Sequence, residues 1–188
     1  ALGTLALIVV LSVMNGFDRE IKQRILQVIP HAYLDQIPVM PDWQLTGDKI
    51  ITQANVISIA PYISGFVMLS SDFSVQGVEL QGVLPSSEVT VSSISDHMLS
   101  ASLFVLKPKQ FSIILGSQVA RQLNVGLEDT VIMTLPAVSI TPAGLFPRSK
   151  RFKVAGIFEV GAQVDQSLAL IHLSDAQRLF RYGSAVQG

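Results

Sequence analysis

The chain has 188 residues, a net charge of −1 and a sequence pI near 6.3, so it lacks the basic footprint of a nucleic-acid-binding protein. That length suits one domain with a substantial core, or two small lobes sharing one. Charged residues make up only 14%, less than an ordinary soluble surface carries, and the lack of cysteine removes disulfides, thiolate metal sites and cysteine nucleophiles.

Ala1 to Met14 reads ALGTLALIVVLSVM, uncharged and apolar on every side. It lacks the basic start and small-residue cleavage site of a signal peptide. It is also shorter than the roughly 20 apolar residues that cross a bilayer. The simplest reading is the outer end of a membrane-spanning helix whose beginning lies outside this sequence; the alternative is a buried core helix. From Asn15 the pattern becomes amphipathic: Phe17, Ile21, Ile25 and Val28 line one face, and Asp18, Arg19, Glu20, Lys22, Gln23 and Arg24 fill the other. This predicts a stalk helix over 15–30, ended by Pro30, with Asn15-Gly16 as a candidate kink.

Short apolar runs then predict strands at Ala32–Leu34, Val56–Ile59, Gly65–Ser70, Val75–Val83, Phe111–Leu115, Val131–Leu135, Phe152–Phe158 and Leu168–Ile171. Within Val75–Val83, imperfect alternation fits a half-buried strand. Ser117–Leu123 reads as a helix closed by Asn124-Val125-Gly126, whose ends tolerate a left-handed backbone. Ser174-Asp175-Ala176-Gln177 has the spacing of a capping box opening a helix to about Phe180. The Ser-rich stretch 86–102 predicts a loop with one short helix near Asp96–Ser100. The sum is an α+β domain over 31–188 with a mixed or antiparallel sheet and few short helices.

Signatures of catalysis are missing from the sequence. His31, His97 and His172 lie in separate segments without metal-ligand spacing. Gly116-Ser117-Gln118 and Gly183-Ser184-Ala185 lack the spacing of a nucleophile elbow, and no glycine-rich phosphate cradle occurs. Asp96, Asp129, Asp165 and Asp175 are scattered, and turns and caps explain them more cheaply than acid–base work. No enzyme activity, metal or cofactor is expected.

The segment Pro136-Ala-Val-Ser-Ile-Thr-Pro-Ala-Gly-Leu-Phe-Pro147 stands out. Its three prolines and Gly144 predict an irregular loop longer than an ordinary hairpin connection. Yet Val138, Ile140, Leu145 and Phe146 are apolar, and Arg148, Lys150, Arg151 and Lys153 follow at once. Such a loop either packs back on its own domain or awaits a partner; the residues alone leave both readings open.

Leu11–Leu26, LSVMNGFDREIKQRIL, resembles the exit of the first membrane helix in LolC- and LolE-type subunits of the lipoprotein-releasing ABC transporter. VIPHA, IAPYI, VQGVELQGVLP, IILGSQVARQLNV, FKVAGIF and VDQSLALIHLSDAQRLF resemble segments of that family in the same order, so the similarity covers nearly the whole chain. The resemblance implies a MacB-like periplasmic domain of a subunit in the inner membrane of a Gram-negative bacterium. The partners it implies are lipoprotein substrates, membrane lipid, a separate ATPase subunit LolD, a second LolC/LolE/LolF-type subunit and the periplasmic chaperone LolA. It further implies that Pro136–Pro147 is the hook that engages LolA, with Pro136, Val138, Ile140, Thr141, Pro142, Gly144, Leu145, Phe146 and Pro147 as binding residues. Arg148, Ser149, Lys150 and Arg151 take the place of the supporting pad. Two departures stand against the LolC pattern: Ile132 occupies a position where a basic pad residue is expected, and the hook is one residue shorter. A hook beside LolE-like text favours the LolF subtype. The competing class is a MacB- or FtsX-like domain that transmits force or recruits a different periplasmic partner.

Overall fold

Helix α1 runs from Leu2 to Leu26, through Asn15 and Gly16, in the computed structural model, which describes residues 2–26, 32–37, 39–52, 56–141 and 144–188. Leu7, Ile8, Val10 and Phe17 on it are 62–67% exposed. Among the described residues no helix is long and apolar enough to cross a membrane. The predicted stalk end at Pro30, and His31, lie outside the described residues.

The remaining elements follow in chain order: α2 (Trp43–Ile51), β1 (Tyr62–Ser70), β2 (Val75–Val83), α3 (Pro85–Val91), β3 (Met98–Ser100), β4 (Ser112–Gly116), α4 (Ser117–Leu123), β5 (Thr130–Thr141), β6 (Gly144–Phe158), α5 (Val164–Ser167), β7 (Leu168–His172) and α6 (Leu173–Phe180). Short 3₁₀ turns occupy Ser93–His97 and Leu103–Val105. The strands lie in the order β3-β6-β4-β7-β2-β1-β5, and β5 also pairs with β6, so six of them form a closed ring. Pairing is mixed: β2–β7 and β4–β6 are parallel, the other ladders antiparallel. The long β6 closes the ring by giving its first half to β5 and its second to β4 and β3.

Alternation along the strands sorts their side chains. Val78 and Leu80 of β2 face one core with Ile63, Val67 and Leu69 of β1, Ile113 and Leu115 of β4, Met133 of β5 and Phe152 of β6. Ile114, Phe158, Leu168 and Leu170 point the opposite way into a second core under the 3₁₀ turns. β4 and β7 are therefore buried on both faces, which explains their continuous apolar text. Each fully buried Leu, Ile or Phe contributes about 1.5–3 kcal/mol of transfer free energy. Helix α6 lies so close to β2 that a Cβ on Gly82 would stand 2.2 Å from the Ala176 methyl; glycine is required there for approach, not for conformation.

Several expectations are corrected. Ala32–Leu34 and Val56–Ile59 form no strand, because the ring closes without them. Instead, Met40 bridges Val186, and Gln36 N donates to Gln187 O at 3.1 Å. Tyr62 N donates in turn to Gly188 O at 2.8 Å, fastening the first and last domain segments to the start of β1. The 3₁₀ turn at Ser93–His97 overlaps only the start of the expected helix site, and Met98–Ser100 is a strand edge on β6. Ser174 is not the cap of α6: His172 is, its Nδ1 accepting Ser174 N at 3.1 Å. Asp175 is turned inward, and Gln177 Nε2 donates to Ala185 O at 3.2 Å.

Candidate functional site

Strands β5 and β6 outrun the ring. β5 touches β1 only over Ile132–Thr134, opposite Ser70–Met68, and beyond that point β5 and β6 continue as a two-stranded ribbon. The predicted irregular loop is thus a β-hairpin in its backbone: Val138 pairs with Pro147, Ser139 with Phe146, Ile140 with Leu145 and Thr141 with Gly144. The prolines are tolerated for two physical reasons. A register shift between Leu135 and Val138 places Pro136 in a bulge, and a ribbon of two strands has outer edges where a missing N–H breaks no ladder. Pro142 and Ala143 lie outside the described residues; Val138, Ile140, Thr141, Gly144, Leu145 and Phe146 are placed here by backbone register alone.

At the root of the ribbon the expected pad residues fall on two sides. Ser149 pairs with Thr134, their hydroxyls 3.0 Å apart, and Arg151 pairs with Ile132, which in turn lies beside Ser70. Ile132 is 40% exposed and shares its outer face with the exposed Met68 and Phe66 of β1. The departure at Ile132 therefore puts an apolar residue at the ribbon root beside other apolar ones. Lys150 points to the other side, its Nζ 4.0 Å from the centre of the Phe111 ring. Phe111 in turn packs edge-on against buried Phe152, 5.6 Å between centroids. Arg148 is half-buried and opposite Leu135. Lys153 is paired with Glu128.

The sequence showed no sign of the loop that carries Phe111. Lys109 and Phe111 both hold left-handed backbone, at φ 68° and 52°, a conformation uncommon for any side chain and an outlier for an aromatic one. What holds them is Asp175, 0% exposed, whose carboxylate oxygens accept Lys109 N at 2.9 Å and Phe111 N at 3.2 Å.

Elsewhere several titratable residues have structural partners. His97 Nδ1 lies 2.9 Å from Ser93 O, and burial pushes the His172 pKa below its ordinary value, opposed by Asp175. Asp165 accepts three backbone N–H groups from Val160, Gly161 and Ala162, and Asp129 accepts Gly126 N. Ser117 donates to Glu159 at 2.9 Å, and Arg121 donates to the same oxygen at 2.6 Å. Among the described residues no group of three or more potential ligands could hold a metal ion. The hairpin and its root thus combine a two-stranded ribbon of largely apolar sequence with basic residues at its base.

The chain belongs to the MacB-like periplasmic core domain family, which matches residues 1–187. Within it, the chain is 39% identical to the lipoprotein-releasing system transmembrane protein LolC of Neisseria meningitidis serogroup B, over 100% of this chain and 46% of that protein. It is 38% identical to LolC of Xylella fastidiosa, over 96% of this chain and 44% of that protein. LolE of Haemophilus influenzae is 30% identical over 97% of this chain and 45% of that protein. The chain thus spans less than half the length of these curated relatives. Among solved structures, the periplasmic region of MacB from Actinobacillus actinomycetemcomitans aligns with a TM-score of 0.49 at 14% identity, over 82% of this chain and 64% of that one.

Proposed function

We propose that this chain is the periplasmic part of an inner-membrane ABC transporter subunit that releases outer-membrane lipoproteins and passes them to the chaperone LolA through the hairpin Pro136–Pro147. The observation that carries this reading is the ribbon that leaves the ring between Leu135 and Arg148 in a chain similar to LolC along its whole length. A strand pair lowers the entropy cost of presenting apolar residues to a groove. Helix α1, exposed and apolar, supplies the membrane side, and ATP hydrolysis belongs to the separate subunit LolD. A second LolC/LolE/LolF-type subunit completes the complex.

Replacing residues 136–147 by a short Gly-Ser turn tests the reading. LolA binding should vanish while the melting temperature stays nearly unchanged. Retained binding overturns the hairpin assignment; loss of folding shows that the ribbon belongs to the core. Within the ribbon, Phe146→Ala should cause the largest single loss, about 2 kcal/mol or roughly 30-fold in Kd, because aromatic anchors dominate interfaces.

A second reading, force transmission by a MacB- or FtsX-like domain, is favoured by one observation. Gln36 and Met40 are bonded to Gln187 and Val186, and Gln187 and Gly188 are bonded to Tyr62, so a pull on the last residues reaches β1 directly and one on Gln36 or Met40 reaches it through them. It predicts that the Gly-Ser replacement leaves partner recruitment intact.

A further inference from the structure

The loop Lys107–Phe111 is placed with unusual care for a segment that encloses no site of its own. Two of its residues hold left-handed backbone, and a fully buried carboxylate is used to keep them there. Backbone held in such a state by surrounding structure commonly marks a surface with a task. Here the result is specific. Phe111 is wedged against Phe152 and becomes the seat of the Lys150 ammonium, while Lys107, Pro108, Lys109 and Gln110 stand exposed. Lys153 N donates to Phe111 O at 3.0 Å, so the loop is bonded to β6 a few residues after the hairpin.

The electrostatic consequence is a segregation that net charge conceals. Lys107 and Lys109 precede Phe111, whose ring seats the Lys150 ammonium, so three of the 13 basic residues lie along or against one loop of a chain whose net charge is −1. Among the described residues neither Lys107 nor Lys109 is held in an ion pair, whereas Lys153, farther along β6, is neutralised by Glu128. Ile132 leaves the β5 side of the root without a cation.

We propose that Lys107 and Lys109 form a second, sequence-distant half of the basic platform, and that it receives an acidic rim on the same protein that takes the hairpin. The proposal rests on the hairpin reading above. Cations at the edge of an interface act mainly on encounter, by long-range attraction that salt screens. Lys150, seated on Phe111, and the lysines of the braced loop present that charge from a fixed frame.

The test uses the full chain and LolA from the same organism, with association and dissociation followed by surface plasmon resonance at low and high ionic strength. Lys107→Glu with Lys109→Glu should slow association roughly ten-fold at low salt, with little change in dissociation, and the gap should close at high salt. Lys107→Gln with Lys109→Gln should fall between that variant and the unmodified chain. Unchanged association in both variants, with the unmodified chain binding, overturns the proposal. Failure of the unmodified chain to bind LolA at all sinks the hairpin reading instead. Vesicles with and without about one-third phosphatidylglycerol form the second arm. If the charge reversals abolish salt-sensitive binding to the anionic vesicles and spare LolA association, the loop serves a lipid surface and the proposal is wrong.

Discussion

His172 Nδ1 accepts the backbone N–H of Ser174 at 3.1 Å, closing the first turn of α6 with an imidazole. To accept there the ring must be neutral with its proton on Nε2. Burial pushes its pKa below the ordinary 6.5, against the opposing pull of Asp175. A base with a lowered folded pKa stabilises the fold above its unfolded value, and that contribution is lost as pH falls from 6.5 toward the folded value. Unfolding midpoints of the domain should therefore drop over that range. His172→Asn keeps a capping acceptor and should flatten the drop, while His172→Ala should cost about 1 kcal/mol at pH 7.5. An unaltered pH profile in the asparagine variant sinks this account.

Glu88 gives the opposite sign. It is 3% exposed, and burial pushes its carboxyl above the ordinary 4.5, against a hydrogen bond from Ser92. An acid with a raised folded pKa holds its proton longer in the fold, so ionisation erodes stability as pH climbs from 4.5 through the folded value. Glu88→Gln should gain on the unmodified protein steadily through that window and hold a constant lead above it. Urea midpoints between pH 4 and 8 measure this; a difference independent of pH contradicts it.

Gly82→Ala forces a methyl to 2.2 Å from Ala176 and should cost about 1–3 kcal/mol as α6 is pushed off β2. Gly77→Ala, on the same strand, meets nothing within 4 Å and should leave the calorimetric midpoint unchanged or slightly raised. Equal effects at the two positions would show that strand propensity, not helix approach, governs both.

Residues 7–17 of α1 are exposed throughout. Removing residues 1–31 should leave the cooperativity and midpoint of chemical unfolding where they are in the longer chain, and should abolish binding to liposomes. A large fall in midpoint would mean that α1 shields part of the domain.

Some elements were legible in the sequence almost residue for residue. Val75–Val83 and Ser117–Leu123 match β2 and α4 because each is framed by strong local signals: alternation in one, a glycine entry and an Asn124 exit in the other. Asn124 does adopt the left-handed state, at φ 52°. Helix α2 was missed because Pro41, an internal Gly47 and the β-branched Ile50 and Ile51 weaken every helix signal there. The cap of α6 was assigned to Ser174 on spacing alone, since nothing local distinguishes a serine cap from a histidine two residues earlier. At the site, the unusual text of Pro136–Pro147 was visible and its strand pairing was not: proline content argues against a ladder unless one knows that the ladder has only two members. The Lys107–Phe111 loop was invisible because its conformation is imposed by Asp175, 64 residues or more away along the chain.

The ribbon beyond Thr134 has one further consequence. Its outer edges run past β1 without a neighbouring strand among the described residues, and a bare edge invites endless stacking of identical copies. Pro136 in the bulge and Pro147 opposite Val138 remove donors from those edges, and the bulge bends them out of line. A protruding strand pair built this way resists self-templating. It is kept from becoming the seed of a fibril.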